Sequence, residues 1–395
     1  MVINVKNNVD WVGKIDWELR SFHGSDYSTH RGSSYNSYLV REEKTVLIDT
    51  VWLPYAEEFV ENLDRHVGLD NIDYLIANHG EVDHSGALPA LMAKRPDLPI
   101  YCTAKAVDSL KGQYHEDWNF NVVKTGDSID IGNGKSLVFV EMTMLHWPDS
   151  MATYLTGDNI LFSNDAFGQH YATTGLFNDL ADISELEYEA MKYYANILTP
   201  FSAILRKKLA DIIGMNLPID IIATSHGVIW RDNPVQIVEK YAAWADDYKE
   251  NRITIVYDTM WDGTRSLADT IAAGIHEADP SVTVKVFNIS KGDRNDIITE
   301  VFRSKMLIVG SPTVGNNMLS TMAGLLHFVK ELKFKKKKAA AFGCYGWTGE
   351  APKIMSEFLQ TAGFEIVSEP LRQKWNPDQN NLKEVFEYGK KLAKA

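Results

Sequence analysis

His79-Gly80-Glu81-Val82-Asp83-His84 places four potential metal ligands in six positions. The apolar run Tyr74-Leu75-Ile76-Ala77 precedes it, and Ser85-Gly86 leads from it into a helical pattern over 87–93. Ligands at the end of a strand are held by a rigid element and stay open to substrate. Alternate side chains of an extended segment share a face, so the expectation is that His79, Glu81 and Asp83 converge, with His84 turning into the helix start. An exposed polar loop is the bland alternative, and three further stretches weigh against it.

His146 closes the strand-like region Leu137-Val138-Phe139-Val140-Glu141-Met142, in the context Leu145-His146-Trp147-Pro148-Asp149-Ser150. Asp165 follows Ile160-Leu161-Phe162-Ser163-Asn164, and His226 follows Ile219-Asp220-Ile221-Ile222-Ala223-Thr224-Ser225. Each stands just past an apolar β-type run, where a layered α/β fold collects its site residues.

A chain of 395 residues exceeds one ordinary core and predicts two domains. A hydrophobic fraction of 45% and a charged fraction of 24% are those of a globular protein in water. The formal net charge of −13 argues against nucleic acid or an anionic membrane surface as the main partner. No apolar stretch is long enough to span a bilayer, and the N-terminus carries no signal-peptide pattern. Cys102 and Cys344 stand far apart with no Cys-x-x-Cys, which excludes a thiolate zinc or rubredoxin-type site within the chain and fits a reducing cytoplasm.

Residues 1–249 alternate short strands and helices, with a hairpin predicted at 37–40 and 45–49 across Arg41-Glu42-Glu43-Lys44. Helical patterns fall near 54–66, 85–94, 185–196, 202–213 and 234–248, which predicts a sheet sandwich covered by helices. From 250 to 395 the rhythm is strictly βα. Strands are predicted at 253–257, 282–287, 306–310, 339–342 and 364–367, alternating with helices, which describes a five-stranded doubly wound parallel sheet.

Ligands of such a sheet bind beyond the carboxyl ends of its strands. The first such loop is Thr259-Met260-Trp261-Asp262-Gly263-Thr264, whose hydroxyls and helix start suit a terminal phosphate. The next are Ser311-Pro312-Thr313-Val314-Gly315-Asn316 and Gly343-Cys344-Tyr345-Gly346-Trp347-Thr348-Gly349, which suit a planar ring. Asp262 must point outward, because a carboxylate repels phosphate. The run Lys335-Lys336-Lys337-Lys338 precedes the fourth strand and reads as a solvated turn.

The C-terminal half resembles flavodoxin, which implies FMN in these loops. His79-x-Glu81-x-Asp83-His84 with His146, Asp165 and His226 resembles the metallo-β-lactamase ligand pattern, with Glu81 where the zinc hydrolases carry histidine. Exchanging imidazole for carboxylate favours iron or manganese over zinc. Together the halves resemble the flavodiiron proteins along essentially the whole chain, most closely the flavorubredoxin type of nitric oxide reductase, here without a fused rubredoxin module. Asn164-Asp165-Ala166-Phe167-Gly168-Gln169-His170 and Tyr193-Tyr194-Ala195-Asn196-Ile197 share that resemblance.

The resemblance implies an N-terminal metallo-β-lactamase-like αββα sandwich with two non-haem irons. His79, Glu81 and His146 would hold one ion, Asp83 and His226 the other, and Asp165 would bridge them; His84 is a ligand in some members and turned away in others. It further implies reduction of NO to N2O, of O2 to water, or of both, with FMN as the electron source. Tyr194 is a candidate hydrogen-bond donor beside the site, with plain packing as an equal reading, and His23 and His170 are candidate proton sources for which a buried structural role is the leading reading. The expected assembly is a head-to-tail homodimer or a tetramer of such dimers, and the expected donor is a separate rubredoxin or its reductase. The rival reading is a zinc-dependent hydrolase of the metallo-β-lactamase superfamily fused to a flavodoxin-like domain.

Overall fold

The computed structural model of the chain describes residues 1–395. They form two compact units, Met1–Tyr193 with Phe201–Ala242, and Tyr194–Pro200 with Ala243–Ala395. No helix is long and apolar enough to cross a membrane.

The first unit is built on two mixed sheets. The larger has seven strands in the order Ile3–Lys6, Val9–Trp11, Tyr38–Arg41, Thr45–Ile48, Tyr74–Ile76, Ile100–Cys102 and Phe120–Val122. The predicted hairpin is present, with Tyr38 opposite Ile48 and Arg41 opposite Thr45. The smaller sheet runs Ser128–Gly132, Lys135–Glu141, Met151–Leu155, Ile160–Asn164 and Ile221–Thr224. Its central strands read as continuous apolar runs because both faces are covered. Between the sheets, Val40, Ile48 and Ile76 meet Phe139, Leu155 and Phe162 in one buried cluster. Burial of each such side chain contributes roughly 1.5–3 kcal/mol. Outside them, helix Ala56–Val67 turns Phe59, Val60 and Leu63 inward, with Glu57 and Glu58 in its first turn and Arg65 in its last, a charge order that complements the helix dipole. This is the expected αββα sandwich.

The second unit has the strand order Thr283–Asn288, Glu250–Tyr257, Ser304–Gly310, Lys338–Tyr345 and Glu365–Ile366, all parallel, which is the 2-1-3-4-5 order of flavodoxin-type sheets. The fifth position is split: Leu371–Lys374 also pairs with the carboxyl half of Lys338–Tyr345, so the strand predicted at 364–367 is interrupted and resumed. The lysine run departs from the expected solvated turn. Lys337 is 3% exposed, and its ammonium donates to the carbonyls of Tyr248, Phe302 and Ser304 at 2.7–2.9 Å. Two of these carbonyls lie at the carboxyl end of helix Arg294–Arg303, where unsatisfied acceptors favour a cation. Burial, opposed only in part by Asp247 and Glu250, pushes the Lys337 pKa down to about 7.

Candidate functional site

The loop after strand Tyr74–Ile76 is fixed before its ligands begin. Asp49 is buried, and it accepts the Asn78 backbone N–H at 2.7 Å and the Asn78 amide at 3.0 Å. The Asn78 amide oxygen in turn accepts the Thr153 hydroxyl at 2.7 Å, and the Asn78 carbonyl accepts the Met151 N–H at 2.8 Å. These bonds tie the loop across both sheets. The next residues do not stay extended as expected. Val82–Ser85 is a helical turn, so Asp83 and His84 leave the face that His79 and Glu81 share.

The consequence is two donor groups rather than one. His79, Glu81, His146 and Asp165 bring one ligand atom each to within 4.8 Å of one another, and Asp83, His84 and His226 do the same beside them. Asp165 spans both. Its Oδ2 lies 3.4 Å from His146 Nε2 and 3.7 Å from His79 Nε2. Its Oδ1 lies 3.1 Å from His84 Nε2 and 3.5 Å from His226 Nε2. Glu81 Oε2 completes the first group at 3.2 Å from His79 Nε2 and 3.5 Å from His146 Nε2. Asp83 Oδ2 completes the second at 3.2 Å from His84 and 3.0 Å from His226. All seven predicted ligands are therefore brought together, His84 included.

These side chains approach without satisfying one another. His84 Nε2, Asp83 Oδ1 and Asp165 Oδ2 are buried with no hydrogen-bond partner. A buried polar atom left so costs about 1–3 kcal/mol, and lone pairs aimed at a shared point are what a cation would satisfy. Charge points the same way. Burial lowers the His84 pKa, yet Asp83 and Asp165 outweigh it and raise it to about 9. Burial raises the Asp165 pKa, yet His84 and His146 hold it well below the usual carboxylate range. Three carboxylates and four imidazoles suit two divalent ions of intermediate hardness. The residues present fit such a pair.

The imidazoles are oriented from behind. His226 Nδ1 lies 2.7 Å from the Ser34 carbonyl, which turns Nε2 toward the donors. Gly227 follows with φ 73°, and a Cβ there would come within 1.6 Å of Gln169 Oε1, so the backbone carrying His226 admits only glycine. His79 Nδ1 lies 3.2 Å from Asp149 Oδ2, which also accepts the Gly80 N–H at 2.7 Å. Asp149 was read in the sequence only as part of a motif. Its proximity to His79 arises from contact between elements of the two sheets, far apart in the chain.

Two neighbouring tyrosines have different surroundings. The ring of Tyr194 packs on Trp244 and Phe302 within the second unit. Tyr193 has its ring 5.4 Å from His170, and burial, with Asp165, Asp83 and Glu81 nearby, holds its hydroxyl well above the usual pKa. The signal was available: Leu186, Ala190 and Tyr193 follow i, i+4, i+7 on the buried stripe of their helix. His23, one-third exposed, places Nε2 3.2 Å from Glu81 Oε1; burial lowers its pKa, but Glu81 raises it above the ordinary value. His170 is fully buried, shares a 2.8 Å hydrogen bond with Ser33, and is held well below its ordinary pKa by burial and His226. Of these two histidines, only His23 reaches both solvent and a carboxylate of the donor set.

In the second unit, a pocket of about 630 Å³ opens at the carboxyl ends of the sheet. The expected residues Thr259, Met260, Trp261, Gly263, Thr264, Pro312, Thr313, Val314, Gly315, Cys344, Tyr345, Gly346 and Trp347 line it. Asp262 is exposed and off the lining, which removes the anticipated repulsion. Ser311, Asn316, Gly343 and Gly349 also lie off it: Ser311 accepts the Leu319 N–H and donates to the Pro312 carbonyl, so its hydroxyl builds the turn. Trp375 and Asn376 line the pocket without having been expected, because they follow the strand that resumes at Leu371. The Thr259 and Thr264 hydroxyls are buried without a full hydrogen-bond partner, only the weak Cys344 thiol approaching Thr264. They stand at the start of helix Gly263–Ala278, where N–H groups and the helix dipole favour an anion. A phosphorylated planar cofactor fits this cradle.

Fold and donor set together define a class: a metallo-β-lactamase-like sandwich carrying a two-centre His/carboxylate set, continued by a flavodoxin-like domain. Residues 34–227 match the family model described as ODP family beta lactamase, and 255–389 match the flavodoxin model. The chain is 59% identical over 395 residues to the anaerobic nitric oxide reductase flavorubredoxin of Escherichia coli strain K12, covering 100% of this chain and 82% of that one. It is similar in structure to the rubredoxin oxygen:oxidoreductase of Desulfovibrio gigas, with a TM-score of 0.96 at 33% identity, over 100% of this chain and 98% of that one. The flavodiiron protein of Giardia intestinalis gives 0.94 at 33%, over 100% and 96%. The chain belongs to the flavodiiron protein family. The hydrolase alternative is not favoured.

Proposed function

We propose that this protein reduces nitric oxide to N2O, dioxygen to water, or both, at a non-haem diiron centre supplied with electrons by FMN. The observation that carries the reading is Asp165, which turns one carboxylate oxygen to each of two adjacent donor groups. Relatives along the whole chain are named for the same chemistry, as a nitric oxide reductase and a rubredoxin oxygen:oxidoreductase.

In this reading His79, Glu81 and His146 would hold one iron and Asp83, His84 and His226 the other, with Asp165 shared between the two groups. When bound, such a pair would supply electrons to the diatomic and offset charge developing on it, with FMN as their source. The carboxylates Glu81, Asp83 and Asp165 offset the ionic charge, and the imidazoles fix position through their bonds behind the site. Phe22, packed 4.8 Å from His170 and 6.0 Å from His226, helps exclude water. His23 Nε2, beside Glu81 and partly open to solvent, holds a proton where product oxygen must be protonated. In the second domain, Thr259 and Thr264 would hold the FMN phosphate, and Tyr345 and Trp347 would stand beside its ring.

We assign residues 1–249 to the diiron domain and 250–395 to the FMN domain. Electrons come from a separate rubredoxin or rubredoxin reductase in the cytoplasm. A head-to-tail homodimer, alone or paired into a tetramer, brings the FMN of one protomer to the irons of its partner; a sedimenting monomer that still turns over NO would sink this assembly. The deciding test is iron and FMN content together with anaerobic NO and O2 consumption under a fully reduced donor. About two irons per chain with turnover of either diatomic is the expected result. His79→Ala and His146→Ala should lose iron and turnover while keeping FMN. Zinc with hydrolytic activity would overturn the reading.

A further inference from the structure

His226 and His79 differ in what stands behind their imidazoles. His226 is backed by the neutral Ser34 carbonyl at 2.7 Å. His79 is backed by the Asp149 carboxylate at 3.2 Å. Asp149 and His79 are both fully buried. The Asp149 carboxylate takes its donors, His79 and Gly80, on Oδ2 alone, while Oδ1 is buried with no partner. A buried carboxylate so sparsely satisfied is expensive unless a positive charge lies close by. The only group it faces that can carry that charge toward the site is the His79 ring. Two additional contacts keep it in place: the Thr103 hydroxyl donates to the Asp149 carbonyl at 3.0 Å, and the Gly80 N–H holds Oδ2 at 2.7 Å.

We infer that Asp149 is a positioning residue that fixes His79 as the Nδ1–H tautomer and strengthens its Nε2 as a donor to the first group. The inference rests on the diiron reading above and deepens it. A carboxylate accepting Nδ1–H strengthens Nε2 as a donor, and such partners are worth about 10–100-fold in metal affinity. A backbone carbonyl orients His226 equally well but adds no net charge. Between these two rings the difference lies in charge, not in orientation.

The test is Asp149→Asn in the iron- and FMN-loaded protein, which keeps the size of the side chain and removes its charge. Under a competing chelator, one of the two irons should leave at about 10–100-fold lower chelator concentration than in the wild type, with the other unchanged. In an EPR-monitored redox titration, one iron couple should move upward, by about 59 mV for each tenfold by which ferric binding is weakened more than ferrous. Release of both irons alike, or unchanged affinity and potential, would overturn the inference. A measurement on the wild type does not depend on how the variant folds. In zinc-substituted protein, nitrogen-15 NMR should show His79 protonated at Nδ1; protonation at Nε2 overturns the inference. Wild-type protein that takes up no iron pair would remove the functional reading and this inference with it, an outcome distinct from a failed variant.

Discussion

His84 Nε2 lies 3.1 Å from Asp165 Oδ1, both buried, yet the ring nitrogen has no hydrogen-bond partner. The pair is close without being aligned, the relation expected of two donors aimed at a third atom. The same carboxylate gives its other oxygen to His146 at 3.4 Å.

Asp165 is therefore the residue whose loss should empty both halves. Asp165→Ala is expected to reduce iron from about two per chain to near zero while the FMN spectrum persists. Metal analysis alongside flavin absorbance decides it. Retention of one iron at full occupancy would show that Asp165 serves a single group.

His23→Gln should retain iron and FMN yet lower turnover of NO or O2 by roughly 10²-fold, the smaller end of what a positioned general acid contributes. Anaerobic steady-state rates at saturating donor measure this. A variant with undiminished rate would assign His23 to packing.

Thr264→Ala removes a buried hydroxyl at the phosphate cradle. A hydrogen bond to a charged group is worth about 1.5–3 kcal/mol, so FMN should bind roughly 10–100-fold more weakly by fluorescence titration. Iron content should not change.

Gly227→Ala forces a side chain against Gln169 at a positive φ. Strain and overpacking together are expected to cost about 2–4 kcal/mol. The melting temperature should fall by several degrees, with iron lost from the group holding His226. An unshifted melting curve would contradict the close approach.

Lys337 gives a pH dependence of definite sign. Its folded pKa is depressed to about 7, below about 10.4 for an unfolded lysine. Between those values the unfolded chain binds more protons, so this group makes stability rise with pH, by at most about 1.4 kcal/mol per pH unit. Its full penalty applies below the folded pKa. Lys337→Met removes the titration, so the unfolding free energy of the wild type minus that of the variant should rise from pH 7 to pH 10 in denaturant melts. A difference that falls over this range would reverse the assignment.

Much of the molecule was legible because strands and ligands carry local signals. His79, His146, Asp165 and His226 each follow an apolar run, and those runs are the strands Tyr74–Ile76, Lys135–Glu141, Ile160–Asn164 and Ile221–Thr224. The βα alternation from 250 onward likewise gave the parallel sheet, since period-two and helical patterns are read over a few residues. What failed was local geometry set by distant partners. An extended loop was expected at 79–84, and a helical turn formed there. Tyr194 was chosen over Tyr193, although adjacent helical residues point about 100° apart. Lys337 was read as solvated because nothing nearby in the chain announces three distant carbonyl acceptors.

The sequence by itself determined the ligand types, the strand-end positions that hold them, and the hydroxyl-bearing loop that suits a phosphate. These depend on residue chemistry and short-range periodicity. Only the tertiary structure decided how the ligands divide. Contacts between elements of different sheets bring Asp149 behind His79 and Ser34 behind His226, and Asp165 stands between two groups. That partition arises from contacts between residues tens to hundreds of positions apart, which no local pattern encodes.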